Sequence, residues 1–197
     1  IRQAWIENCI LLIRGQNITP EQHIAFSARF GQLDDHAALY KYRHPQHAEI
    51  FIVTTRPNAD GSPSDTRETG VNWHSDLSYT TRPAMGSLLH CLEIPEIGGD
   101  TMFTNMYRAY DSLSDGLKTL IEPLQAVHDY AWASHDTEKG RNSATADAHK
   151  KVNPPVVQPV VRVHPETGRK VLYVSEGITT HIAGLTPAES RPILQTL

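Results

Sequence analysis

The sequence predicts a mostly β fold, a β-sandwich or jelly-roll core with helices packed outside it. Three observations predict it. Short runs rich in β-branched and apolar residues recur along the chain, each stopped by Gly, Pro, Asn or Asp. The helical stretches between them are few and short, and they carry their own caps. At 197 residues, with 39% hydrophobic and 20% charged residues, the chain has the size and composition of one globular domain that can bury a core.

Taken in order, residues 1–14 read as a helix end running into a buried strand at residues 8–14 (NCILLIR). Gly15, Gln16 and Asn17 form a turn. Thr19-Pro20-Glu21-Gln22 opens a helix with a capping box and a proline at its first position, and Gly31 is read as its C′ glycine. Residues 49–55 (EIFIVTT) read as a strand. Residues 56–70 are rich in Pro, Gly, Ser and Asp and read as a long loop, of the length that usually carries function or motion. Residues 86–93 (GSLLHCLE) read as a strand stopped by Pro95, and a Gly98-Gly99-Asp100 turn leads into another at 101–104. Short helices are expected over 107–113 and 114–121, then a strand over 124–130. The polar stretch 134–153 is read as a helix or lid. Residues 156–164 and 170–175 are β-rich and are joined by Pro165-Glu166-Thr167-Gly168, which has hairpin turn chemistry. Thr186, Pro187 and Glu189 repeat the capping pattern and begin a last helix.

Several functional classes are excluded at this level. With 18 Lys+Arg against 22 Asp+Glu the formal charge is -4, so there is no electrostatic footprint for nucleic acid. The longest apolar run, Cys9 to Ile13, falls far below the ~20 residues that cross a bilayer, and Ile1 opens without a signal-peptide pattern. Cys9 and Cys91 allow at most one bridge, which fits a reducing cytoplasm. The expectation is a cytoplasmic protein with a small-molecule partner and neither nucleic acid nor membrane. Eleven histidines direct attention to metal chemistry.

The segment Asn72-Trp73-His74-Ser75-Asp76-Leu77 is the most informative. In a strand, positions i and i+2 share a face, so His74 and Asp76 would project together while Ser75 faces away. An imidazole and a carboxylate so placed can take adjacent vertices of one metal ion. A further histidine would complete the 2-His-1-carboxylate facial triad that suits non-haem Fe(II). Alone, His-x-Asp is equally a surface histidine hydrogen-bonded to an aspartate.

In chain order the sequence also carries Arg14-Gly15-Gln16, Ile18-Thr19-Pro20-Glu21-Gln22, Arg29-Phe30-Gly31, Gly98-Gly99-Asp100-Thr101, Ala109-Tyr110-Asp111-Ser112-Leu113, His128-Asp129-Tyr130, Asn153-Pro154-Pro155, Val161-Arg162-Val163-His164-Pro165 and Glu176-Gly177-Ile178-Thr179-Thr180. With the His-x-Asp segment, this ordered set resembles the taurine dioxygenase / 2,4-dichlorophenoxyacetate dioxygenase family of Fe(II)- and 2-oxoglutarate-dependent oxygenases. The resemblance implies a double-stranded β-helix (jelly-roll) core with flanking helices. It implies Fe(II) as cofactor, 2-oxoglutarate as co-substrate and O2, with succinate and CO2 formed as a small substrate is hydroxylated. His74 and Asp76 match the first two iron ligands. Thr101 matches the threonine that binds a 2-oxoglutarate carboxylate. His36 falls near a substrate-binding histidine of sulfonate and sulfate members, and Leu77 lines the substrate pocket or the core. The third ligand, a histidine, and the arginine paired with 2-oxoglutarate are expected beyond Leu197. The chain thus reads as a single oxygenase domain, residues 1–197, lacking N-terminal residues and the C-terminal part of the core. His90, His128, His164 and His181 are substitutes by residue type only. Family members are often dimers or tetramers, so a homodimer or homotetramer is left open.

Two features narrow the substrate. Leu39 and Gly70 stand near positions where taurine enzymes carry Tyr and Asn, and Ile178 where they carry an aromatic residue. Such a pocket loses polar contacts and gains room, which argues against taurine and for a larger anion: a sulfonate, an alkyl sulfate or an aryloxy acid. The rival readings are a catalytically inactive jelly-roll binding protein of the same family and a zinc hydrolase. The second lacks any HExxH-type spacing.

Overall fold

A computed structural model describes residues 1–35, 41–64, 66, 67, 69–133, 151 and 153–197. Two compact units are formed. One comprises Ile1–Leu11, His74–Pro83 and Cys91–Leu197, the other Leu12–Trp73 and Ala84–His90.

The larger unit holds helix α1 (Arg2–Asn8) and all the elements after residue 100. α3 (Met106–Asp111) is capped by Asn105, whose side chain accepts from the Tyr107 and Arg108 amides, and α4 (Asp115–Ile121) is capped by Ser114 through the Leu117 amide. β3 (Gln125–His128) is the centre of an antiparallel sheet, flanked by β4 (Val156–Pro159) and β7 (Thr179–Ile182). Its register with β7 slips between Val127 and His128. The short helix α5 (Tyr130–Ala133) follows β3.

The β-rich run 156–164 does not form one strand. Pro159 has no amide to donate to the ladder, and beyond it the chain turns into β5 (Val161–Val163), which pairs with β6 (Lys170–Leu172). The loop between β5 and β6 is the expected hairpin turn. His164 N donates to Arg169 O and Gly168 N to His164 O, both at 2.9 Å, and Gly168 takes φ +68°, where a Cβ is strained.

The last helix, α6 (Pro187–Thr196), begins with the predicted capping box: the Thr186 hydroxyl accepts from Glu189 N while Glu189 reaches back to Thr186 N. It is tied to β7 by Ser190, a buried hydroxyl that accepts from Ile182 N at 2.9 Å. The core of this unit is Tyr110, Ile121, Ala126, Val160, Val161, Leu172 and Ile182, so the helices α3, α4 and α6 cover strands β3 and β5–β7.

The smaller unit holds α2 (Pro20–Ser27) and the hairpin β1 (Arg43–His44) with β2 (His47–Phe51). α2 opens with the capping box read from Thr19 to Gln22. Its end differs from the expectation. The helix stops at Ser27 with Ala28 as a right-handed cap, so Gly31 lies beyond it and is no C′ glycine. The long loop is tied at one point, where the Thr66 hydroxyl accepts from Thr54 N at 3.0 Å.

Three strand expectations are corrected. Residues 10–14, 86–93 and 101–104 form no strand. Their apolar side chains stay in water, with Leu12 76%, Leu89 78% and Met102 74% exposed, because among the described residues no strand pairs with them. Residues 134–150 and 152, with most of the expected lid, lie outside the described residues, as do His36 and Leu39.

Candidate metal centre

His74 and Asp76 do meet, by a different local geometry from the one expected. The segment is no strand. Residues 73–75 are irregular and 76–79 form a turn, with Ser78 N donating to Ser75 O at 3.2 Å and Thr80 N to Leu77 O at 3.0 Å. Leu77 sits inside that turn at φ 54°, in the left-handed region that costs a branched residue roughly 1–2 kcal/mol. The turn folds His74 and Asp76 to the same side, and His74 Nε2 lies 3.3 Å from Asp76 Oδ1. Their side chains are 36% and 55% exposed.

The donor set fits a metal ion. Two donors each about 2.1 Å from one ion and at right angles stand about 3.0 Å apart, close to the separation here. One nitrogen and one carboxylate oxygen make two thirds of a 2-His-1-carboxylate set. Among the described residues no third His, Cys, Asp or Glu joins them to form a ligand group.

The turn is held by one residue that the sequence reading did not single out. Gln158, buried in β4, donates its amide to Ser78 O at 3.2 Å and Thr80 O at 2.9 Å. Tyr173, just after β6, feels the hydroxyl of Ser75, the residue between the two donors, which acts to lower the Tyr173 pKa. Burial raises the Tyr173 hydroxyl pKa, opposed by Arg162, whose guanidinium lies 4.8 Å from the ring centroid. Tyr79 packs against Tyr130 with ring centroids 4.6 Å apart. A signal for Gln158 was present: it is the lone amide in an otherwise apolar run, VVQPVV, where a polar group needs partners once buried.

The four histidines that are substitutes by residue type have other partners. His128 is buried on β3, stacked 5.7 Å from the Tyr173 ring, with Nε2 3.3 Å from the Thr179 hydroxyl. Burial lowers its pKa to about 4, with the Tyr173 backbone acting in the opposite sense. His164 Nδ1 accepts from Glu166 N in the hairpin loop, His181 Nδ1 pairs with the Thr180 hydroxyl, and His90 packs on His23. Thr101 is exposed in an irregular stretch, Leu77 is half-buried and Ile178 is buried.

The chain matches the taurine catabolism dioxygenase TauD, TfdA family over residues 1–197. It belongs to that family. Among its relatives, the (S)-phenoxypropionate/alpha-ketoglutarate-dioxygenase of Sphingobium herbicidovorans is 34% identical over 204 residues, covering 100% of this chain and 68% of that protein. The alpha-ketoglutarate-dependent 2,4-dichlorophenoxyacetate dioxygenase of Cupriavidus pinatubonensis is 34% identical over 213 residues, covering 100% and 70%. The crystal structure of AAD-2 in complex with Mn(II) and N-oxalylglycine superposes with a TM-score of 0.82 at 31% identity, over 99% of this chain and 68% of that one. The chain thus spans about two thirds of the length of these relatives. As a TauD/TfdA member it is an oxidoreductase, a 2-oxoglutarate-dependent dioxygenase, and its fold is the jelly-roll class that the strand pattern predicts. No helix among the described residues is long and apolar enough to cross a membrane.

Proposed function

We propose that this protein uses Fe(II), held by His74 and Asp76, to hydroxylate a small organic anion with 2-oxoglutarate and O2. The single observation that carries this is the 3.3 Å approach of the two donors on the buttressed turn, in a chain of this family. Fe(II) bound there supplies oxygen activation coupled to the oxidative decarboxylation of 2-oxoglutarate to succinate. The chain's own residues do the rest. His74 and Asp76 would hold the ion, Thr101 would take a 2-oxoglutarate carboxylate, and a histidine expected beyond Leu197 would be the third ligand. His36 and Leu77 are assigned to the substrate. We place residues 1–197 within a single oxygenase domain that works in the cytoplasm on a small molecule, as a homodimer or homotetramer.

The substrate class is an aryloxy acid, with sulfonates and alkyl sulfates as the neighbouring chemistries. Relatives named for phenoxypropionate and 2,4-dichlorophenoxyacetate support it. So does Ile178, a buried aliphatic residue where taurine enzymes carry an aromatic one.

Anaerobic addition of Fe(II) and 2-oxoglutarate to the intact protein tests the proposal. A weak visible charge-transfer band is expected, lost in His74→Ala. Succinate release is then measured across aryloxy acids, sulfonates and alkyl sulfates. Turnover of the aryloxy acids with retention of the band supports the reading. A band without succinate from any of them makes the protein a binding member of the family, and a band that survives His74→Ala removes the ligand assignment.

A further inference from the structure

We propose that Gln158 is a positioning residue for the metal pair, acting through the turn that carries it; this rests on the metal reading of His74 and Asp76. The physical need is plain from the backbone. The turn contains a leucine at φ 54°, a conformation that persists only where surrounding contacts enforce it. Within the turn the chain is closed by Ser78 N donating to Ser75 O, by Thr80 N donating to Leu77 O and by the Thr80 hydroxyl donating to Leu77 O at 2.8 Å. The Ser78 and Thr80 carbonyls belong to none of these bonds, and a carbonyl left without a partner away from water would be costly. The side-chain amide of Gln158 meets both with its two N–H groups, at 3.2 and 2.9 Å.

Gln158 is itself fixed. It is 8% exposed and sits in the β4 register opposite Ala126 of β3, the centre of the sheet. The residues after Asp76 are thereby hooked to the central sheet of this unit. Asp76 lies two residues before the first of these two attachments, and His74 two residues before Asp76. If the Gln158 hook is cut, the turn can relax Leu77 toward ordinary φ values. The His74–Asp76 approach then ceases to be enforced. Outer-shell partners of this kind typically set metal affinity by 10–100-fold without touching the metal.

The variants are Gln158→Met, which keeps the length and packing of the side chain and loses both donors, and Gln158→Glu, which keeps shape and presents oxygens to the two carbonyls. Mn(II) binding to the intact protein is read by loss of the free-ion EPR signal, and amide hydrogen exchange is followed at residues 78–80. Ile182→Val, a core change on β7, serves as a stability-matched control. The expected result is Mn(II) binding weakened about tenfold or more in both Gln158 variants, with faster exchange at residues 78–80 and little change in the control. Mn(II) binding unchanged in Gln158→Met, or weakened equally in the control, overturns the inference while leaving the metal site standing. Mn(II) binding that His74→Ala does not reduce, or no binding by the unaltered protein, overturns the metal reading and this inference with it.

Discussion

Burial without a full set of partners gives His128 a pH signature. Its imidazole is 1% exposed, and Nδ1 finds no partner of full hydrogen-bond geometry among the described residues. The neighbours on its face are Tyr173 and Thr179, and neither carries a charge that would favour the protonated ring. Desolvation therefore holds the folded-state pKa at about 4, below the ordinary 6.5. Between those values the unfolded chain binds the proton more readily than the folded one. The contribution to stability is fully present above about pH 6.5 and is lost as the pH falls through 4, with a total on the order of 3 kcal/mol. The urea midpoint should accordingly fall over that window. In His128→Gln the window should flatten, at the expense of a lower starting stability. A variant as steep as the parent would assign the pH dependence to other groups.

The elements that could be read from the sequence are those whose cause is local. Thr19 and Thr186 each place a hydroxyl three residues before a Gln or Glu, and both capping boxes form. Gly168 closes the β5–β6 hairpin because the loop needs a residue at positive φ. What failed depends on a partner elsewhere in the chain. Residues 86–93 have strand composition but no strand beside them among the described residues, and β7, with the sequence TTHI, gives no apolar alternation of its own and exists because β3 pairs with it. At the proposed metal pair the residue types were legible and the backbone was not. His74 and Asp76 come together through a turn enforced by Gln158, about 80 residues away, as the separation |i−j|=80 of its bond to Ser78 records. Local causes are also the ones a single substitution tests cleanly. Thr186→Ala should cost about 1 kcal/mol and Thr186→Ser much less, read from urea midpoints at constant slope. Equal losses would mean that α6 is held by its packing on β7 and not by its cap.

At the scale of the molecule, apolar side chains are divided sharply between a small core and a long exposed stretch. Ile121 is 0% exposed at the end of α4, inside the cluster with Val160, Leu172 and Ile182, whereas Ile97 is 92% exposed and its neighbours Leu92 and Ile94 are 82% and 81% exposed. Burial is what turns an isoleucine into stability, since removing its methylenes forfeits transfer free energy and leaves a cavity only where there are packed neighbours. Ile121→Ala should therefore cost about 2–5 kcal/mol, and Ile97→Ala should stay within roughly 0.5 kcal/mol. The same pair of measurements examines the surface as well as the core. Exposed leucine and isoleucine gathered in one segment are the kind of surface that draws a partner. If Ile97→Ala costs as much as Ile121→Ala, those side chains are covered in solution. If in addition that cost shrinks on dilution, the cover is intermolecular, because mass action ties such stability to protein concentration.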